Sequence, residues 1–402
     1  MTTSLRVLRW VHSVGNLRGN QPLRVHPLKS RNHRGGFVVK LAPRVPRVAR
    51  LREGGYSHLM VSATLRTVAL AAGVHPSTVS RALDPFHCNM VKTETRERVQ
   101  RVAAEFGYSP DGVAVSLRRG RTDTIGVIIS DLANPFVATV VAGIEKGLRG
   151  HDLMVLMAET SDDSERLLKV VDNFIGRRVD AIISLAARIG DEDLMSRAAK
   201  RVPVILAVRN LSGGKFSAVI NDDELGGEIA ARHLFELGHR RVGQLYGPTF
   251  ISCFIDRGFA FDRFTVNSGG TLVTTPAGPQ AASVEGGYLA AISIFGSGEE
   301  LPTAIFAHND MMALGALDAL GEFGLRCPED ISIIGYNDSV ISSHCRPALT
   351  TVHLPAFEVG MGAAKAAVTQ MSTIKTEATV HAMVPRLVAR LSTSPPQVPT
   401  PR

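Results

Sequence analysis

TLRTVALAAGVHPSTVSRAL, residues Thr64–Leu83, reads as two short helices joined at Gly73. Leu65, Val68, Ala69 and Ala72 recur at i, i+3, i+4 and i+7, one face of a helix. Gly73 supplies a sharp turn, and Pro76 sits where a first helical turn tolerates proline. The second helix then offers Ser77, Thr78, Ser80 and Arg81, three short hydroxyls and one long cation. A helix that only packs has no use for so polar a start. A helix lying in a major groove does, because base edges and phosphates are read by hydrogen bonds. On this stretch alone an ordinary helical hairpin stays open.

Working outward, a third helix is expected after the loop Asp84–Val91. Val99, Val102, Ala103 and Phe106 share one face of it, and Gly107 ends it. Three such helices over residues 60–108 bury one small core, as helix-turn-helix DNA-binding modules do. Residues 109–121 read as a linker in which apolar Leu117 precedes Arg118 and Arg119. An apolar wedge beside arginines is how minor-groove binders kink DNA. Leu117 capping a neighbouring core is the other local reading.

The net charge of +8 is unevenly placed. Residues 1–59 hold twelve Arg or Lys against Glu53 alone, giving +11, and residues 60–121 add +4. The remainder, 122–402, carries −7. A basic front on an acidic body suits a nucleic-acid binder. Residues 1–59 show no sustained period and read as disordered. A solvated basic tail, a stretch translated upstream of a start at Met60, and an extra folded domain are the three readings.

The 402 residues allow two or three domains, and 45% hydrophobic residues allow a large core. No run approaches the roughly 20 apolar residues of a membrane span, and the basic N-terminus lacks the apolar segment of a secretory signal. Cys88, Cys253, Cys327 and Cys345 lack metal-ligand spacing and suit reduced thiols in a cytoplasm. No metal and no cofactor are expected.

From Thr124 strands and helices alternate. TIGVIIS, LMVLMAE, AIISL, VPVILAV, AVIND, VGQLYG, TLVTT, TAIFA and ISIIGY read as strands. The intervening helices are expected at Pro135–Arg149, Glu165–Gly176, Asp191–Arg201 and Glu224–Leu237, then from about Ile255, around Tyr288–Phe295 and over Met311–Phe323. Such repetition implies parallel sheets covered by helices, and this many units need two Rossmann-like subdomains. No GxGxxG follows a strand, which argues against a dinucleotide enzyme. Ligands of open α/β sheets bind outside the carboxyl ends of the strands. That places the useful positions at Ser130 to Phe136, Asn221, Asp222, the stretch after Gly247, His308 to Asp310, Asn337 and Asp338.

Together these features resemble the lactose-repressor family of bacterial transcription regulators, from about Thr64 to about Thr393. The resemblance is carried by TLRTVALAAGVHPSTVSRAL, VSLRRGRTDTIGV, SDLANPF, HLFELGHRRVG, DRGF, NDMMALGALDAL, GLRCPEDISIIGYND, PALTTVHLP and PRLVARLST. It implies a helix-turn-helix headpiece, a hinge, and an α/β effector domain like the type I periplasmic binding proteins. It also implies a cytoplasmic homodimer, with a tetramer left open, on a pseudo-palindromic double-stranded DNA operator. Pro76, Ser77 and Arg81 would face bases, Thr78 and Ser80 phosphates, and Leu117 would be the minor-groove wedge. Crossings near Asn221, His353 and Ala382 would give subdomains 122–221 plus 355–382 and 222–354 plus 383–402. Ser130, Asn134, Phe136, Asp222, Arg257, Asp310 and Asn337 would line the effector site. Core packing is the other reading of Phe136, and strand-end and helix-cap roles are those of Ser130 and Asn134. Cys253, at a matched contact position, reads as a buried inert thiol.

Four departures from the family pattern stand out. His75 replaces a capping Ser, and Thr67 replaces an acidic residue, so weaker caps are expected on both helices. Asp111 and Val115 stand where the linker has Asn and Arg. In the cleft, Arg257 matches a ligand-clamping arginine, but Val208 and Asn337 stand where carboxylates grip sugar hydroxyls. A guanidinium without those anions suits a sugar acid or sugar phosphate. The alternative is a neutral sugar, with Asp310, Asp338 or Asp222 supplying the charge. Two other function classes compete, a solute-binding protein and an α/β enzyme. Residues 64–121 oppose the first, and the absence of a nucleophile elbow, a P-loop or HExxH opposes the second.

Overall fold

The computed structural model describes residues 63–84, 87–109, 120–372 and 377–397. The expectations for residues 1–59, Asp111, Val115 and Leu117 lie outside these residues.

Helices α1 (Leu65–Ala72), α2 (Pro76–Ala82) and α3 (Thr93–Glu105) enclose one small core of Val68, Ala69, Ala72, Val79, Ala82, Val99 and Ala103. The expected stripe on α1 is the buried one. Phe106 departs from expectation, standing 50% exposed at the end of α3. Gly107, at φ +60°, turns the chain back, and Tyr108 packs on the core instead. Both caps are made, which corrects the expected loss of a capping-box contact at Thr67. Thr67 keeps a reciprocal box with Thr64: the Thr67 N–H donates to Thr64 Oγ1 at 3.2 Å and the Thr64 N–H to Thr67 Oγ1 at 2.8 Å. A threonine hydroxyl reaches as far as the box needs. His75 caps α2 through its ring, Nδ1 accepting the Ser77 N–H at 3.2 Å.

Beyond Gly120 the chain builds two six-stranded sheets. The first begins with β1 (Thr124–Ile129), α4 (Pro135–Leu148), β2 (Met154–Glu159), α5 (Ser164–Gly176), β3 (Ala181–Ser184), α6 (Glu192–Ala199), β4 (Val204–Val208) and β5 (Ser217–Asn221). The second holds α7 (Asp223–Glu236), β6 (Arg241–Leu245), α8 (Ser252–Asn267), β7 (Thr271–Val273), α9 (Val284–Phe295), β8 (Ala304–Ala307), α10 (Asp310–Glu322), β9 (Ser332–Asn337) and β10 (Thr350–His353). The chain then returns through α11 (Ala356–Ser372) and β11 (Val380–Met383) to the first sheet, and ends on the second with β12 (Arg386–Val388). Strand order is β11-β5-β4-β3-β1-β2 in one sheet and β12-β10-β9-β8-β6-β7 in the other. Every pairing is parallel except β10 with β12.

The central strands β1, β3, β4, β5, β6, β8, β9 and β10 are buried nearly throughout, as parallel strands covered on both faces must be, whereas the edge strands β2, β7, β11 and β12 are partly or largely exposed. The sequence reading assigns no helix at α11, whose Gly- and Ala-rich face carries little apolar pattern. That smallness is its packing rule. A Cβ on Gly360 would strike the Val140 carbonyl of α4, and one on Gly143 would strike the Phe357 carbonyl of α11. The α9 helix starts at Val284, four residues before the expected region, because the Ser283 hydroxyl accepts the Gly286 N–H at 3.1 Å. Among the described residues no helix is long and apolar enough to cross a membrane, and no group of His, Cys, Asp or Glu is placed to hold a metal ion.

Candidate functional site

On α2, Ser77 and Arg81 are exposed and one helical turn apart, while Pro76, Thr78 and Ser80 are partly exposed. Val79 and Ala82 hold the opposite face in the core. The Ser77 hydroxyl lies 2.8 Å from His75 Nδ1, so the cap that starts the helix also fixes this side chain.

The second site is a cleft of about 300 Å³ between the carboxyl ends of the two sheets. Of the seven residues expected there, Ser130, Asn134, Phe136, Arg257 and Asn337 line it. Asp222 and Asp310 do not. Asp222 caps α7, its carboxylate accepting the Leu225 N–H at 3.0 Å. Asp310 is buried under β9 and β10, where Ser339 N–H, Ser342 Oγ and Thr351 Oγ1 donate to it at 2.7–2.8 Å. Asp338, the other candidate anion, is held by Arg390 at 2.6 Å and His353 at 3.0 Å. Asn134 is also a helix cap, its Oδ1 accepting the Phe136 N–H at 3.0 Å.

The charge that balances Arg257 comes from Asp223, one position beyond the expected Asp222. Arg257 Nη2 donates to Asp223 Oδ1 at 2.6 Å, Nη1 to the His308 carbonyl at 2.6 Å and Nε to the Cys253 carbonyl at 3.0 Å. Three of five guanidinium donors are therefore held by the protein. The group also lies 3.9 Å from the centre of the Tyr336 ring, and Tyr336 Oη donates to Asp223 at 3.0 Å. Burial lifts the Asp223 carboxyl to about 6, while Arg257 and the Tyr336 hydrogen bond pull it down, so it stays ionised at neutral pH. Burial keeps the Cys253 thiol protonated, with its pKa pushed up to about 11.

A second arginine enters the cleft without having been expected. Arg209 is bidentate on Asp162, at 2.6 and 3.3 Å. Asp131 and Glu159 add two further carboxylates to the lining, and Phe254 adds an apolar wall beside Val208. Val208, at φ +68°, and Asn337, at φ +113°, both carry left-handed backbone where they line the cleft. For a β-branched residue such as Val208 this is a strained conformation, a kind that gathers at ligand sites.

Behind Arg257, His308 is buried and neutral. Its Nδ1 accepts the Gly247 N–H at 3.1 Å, so the proton is on Nε2, 2.7 Å from Gln244 Oε1. Burial first, and Arg257 second, hold this ring well below 6.5. The unfolded chain binds the proton near pH 6.5 and the folded chain does not. Stability is therefore complete above that pH and falls below it, by up to about 1.4 kcal/mol per pH unit for this ring. Asp223 acts oppositely, taking up a proton in the folded state between about 6 and its ordinary 3.8. Thermal melts should decline from about pH 7.5 to about pH 6, and decline less in His308→Gln. Parallel profiles for the two proteins would contradict a buried neutral ring.

A helix-turn-helix head followed by a two-sheet α/β body with a ligand-sized cleft defines a class, the DNA-binding transcription regulators with a periplasmic-binding-protein-like body. Residues 64–111 match the family of bacterial regulatory proteins described as the lacI family, and residues 231–393 match the periplasmic binding protein-like domain. The transcriptional repressor CytR of Escherichia coli is 30% identical over 299 residues, 74% of this chain and 87% of that protein. The lac repressor dimer bound to operator and the anti-inducer ONPF shares the fold with a TM-score of 0.72 at 27% identity, over 83% of this chain and 99% of that one. A LacI family regulator from Enterococcus faecium with bound ribose gives a TM-score of 0.61 at 29% identity, over 68% of this chain and 100% of that one. This chain belongs to the LacI family of bacterial regulatory proteins. It is a DNA-binding transcriptional repressor rather than an enzyme.

Proposed function

We propose that the protein binds a palindromic operator as a dimer, and that a small, neutral, polyhydroxylated effector in the cleft controls it. Residues 60–108 are the reading domain and 109–121 the hinge. The two lobes are 122–221 with 355–382 and 222–354 with 383–402. The observation that carries the effector class is the charge of the cleft. Arg209 and Arg257 are each neutralised by a carboxylate, and Asp131 and Glu159 stand beside them. A sugar acid or phosphate would bring its charge against these anions, so the anionic effector suggested by Val208 and Asn337 is disfavoured. Hydroxyls of a sugar can donate to the carboxylates and accept from the two remaining Arg257 donors. The ribose bound by the Enterococcus faecium regulator is a ligand of this kind. Control requires that the effector bind the DNA-competent and incompetent states with different affinity.

Anisotropy of a labelled operator-like duplex, titrated with protein and then with ribose, a neutral ribonucleoside or a sugar phosphate, tests both parts. Specific binding altered by a neutral compound is expected. A response to the phosphate alone would overturn the effector class, and a folded dimer without DNA affinity would overturn the whole reading. In the same assay Arg81→Ala should cost about 1–3 kcal/mol on the operator and less on scrambled DNA. Equal losses on both would contradict base readout by Arg81.

A further inference from the structure

The cleft occupies the carboxyl rim of the first sheet, and the opposite rim has a different character. All six strands of that sheet run parallel, so the loops that precede them lie side by side along one edge. Arg121 precedes β1, Arg177 and Arg178 precede β3, Lys200 and Arg201 precede β4, and Lys215 precedes β5. All six side chains are exposed, and none makes an ion pair with another described residue. Arg178 and Arg201 line one groove together with Gly120. The carboxylate of Asp180, which also lines it, is turned to the backbone, accepting the Thr122 N–H at 3.1 Å and the Thr124 N–H at 3.3 Å. Asp123, Asp152 and Glu377, before β1, β2 and β11, add three further carboxylates at its ends, so the cationic part of the edge is its centre, before β3 and β4. Five of the six cations belong to a stretch, 122–402, whose net charge is −7.

The same edge anchors the chain that leads to the reading head. Besides the two bonds to Asp180, Thr122 Oγ1 donates to the Arg178 carbonyl at 2.8 Å. Only residues 110–119 separate Ser109 from Gly120, a tether of at most roughly 40 Å. DNA held by the head is therefore kept near this rim, at a high local concentration of phosphate.

We infer that the amino-end rim of the first sheet, centred on Arg178, Lys200 and Arg201, is a second DNA contact that binds the phosphate backbone of duplex flanking the operator. The inference rests on the operator-binding reading above. The groove that holds Arg178 and Arg201 is otherwise lined by Gly120, Ile175, Val179, Asp180, Val202 and Pro203, with no aromatic or amide side chain among these residues, so it adds affinity without sequence preference. An acidic protein partner would meet the same charges, but the tether brings DNA to this rim and brings no protein there.

The test compares the full chain with Arg178→Gln/Arg201→Gln and with the charge-matched Arg232→Gln/Arg263→Gln on the second lobe. Each is titrated against an operator-like duplex with flanks of about one helical turn, and against the same duplex trimmed to its half-sites. The slope of log Kd against log salt is read for each, a lost phosphate contact being worth about 0.9 in slope. On the flanked duplex the rim variant should bind several-fold more weakly and lose at least one unit of slope per dimer, whereas the second-lobe variant should match wild type. On the trimmed duplex all three should agree. Wild-type melting temperature in the rim variant shows that the fold is intact. Unchanged slope on the flanked duplex, or an equal loss on the trimmed one, overturns the inference while leaving operator binding standing. Failure of wild type to bind any duplex overturns the operator reading itself.

Discussion

Asp223→Leu should lower the melting temperature by on the order of 10 °C. Asp223 and Arg257 are both 3% exposed and 2.6 Å apart. Removing the carboxylate leaves the guanidinium buried beside Tyr336 and the His308 carbonyl without a counter-ion. Breaking a buried pair in this way costs about 3–5 kcal/mol, and each kcal/mol shifts the melting point of a protein this size by roughly 2–4 °C. The double variant Asp223→Leu/Arg257→Met should recover most of the loss, because it removes the uncompensated charge as well as the partner. A single variant that melts like wild type would show that the pair is hydrated in solution. Effector binding separates the roles further. The double variant should be stable yet lose response to a neutral sugar, since the two free Arg257 donors go with the side chain.

Gly227→Ala should also lower stability, by less, through packing rather than charge. Gly227 lies on α7 against α8, and a Cβ there would overlap the backbone carbonyl of Arg257. The obstacle is main chain, so no rotamer change relieves it, and the helices must separate. Overpacking of this kind costs typically about 1–3 kcal/mol. The displaced helix is the one that carries Arg257 to the cleft, so effector affinity should fall along with stability. Calorimetry and thermal melts read the two effects. Loss of stability with full effector affinity would mean that α7 rather than α8 yields.

The reading head was legible because its information is local. A 3.6-residue period marks Val68, Ala69 and Ala72, and a left-handed glycine is needed at Gly73, φ +62°. The caps are not legible from residue type alone, because capping depends on hydrogen-bond geometry. Thr67 and the His75 ring both reach the backbone groups that Glu and Ser more often serve. Alternating apolar runs likewise announced the two parallel sheets. They gave no sign of α11, whose packing rests on the missing side chain of Gly360 and the small methyl of Ala364 rather than on a stripe of large ones.

In the cleft, Ser130, Asn134, Phe136, Arg257 and Asn337 could be placed from strand ends and matched motifs, because the carboxyl rim of a parallel sheet fixes which residues face a ligand. Asp222, Asp310 and Asp338 were reasonable anions by the same rule, yet each is held by its own neighbours. Composition and period alone set the division into a basic, DNA-reading front and an acidic α/β body. Only the tertiary structure decided the charge of the cleft. Asp223 meets Arg257 across 34 residues of chain, and Asp162 meets Arg209 across 47. Periodicity tells which face of an element a side chain takes. Charge compensation depends on separations of a few ångströms and on how much water is excluded, and those exist only once the two lobes have folded.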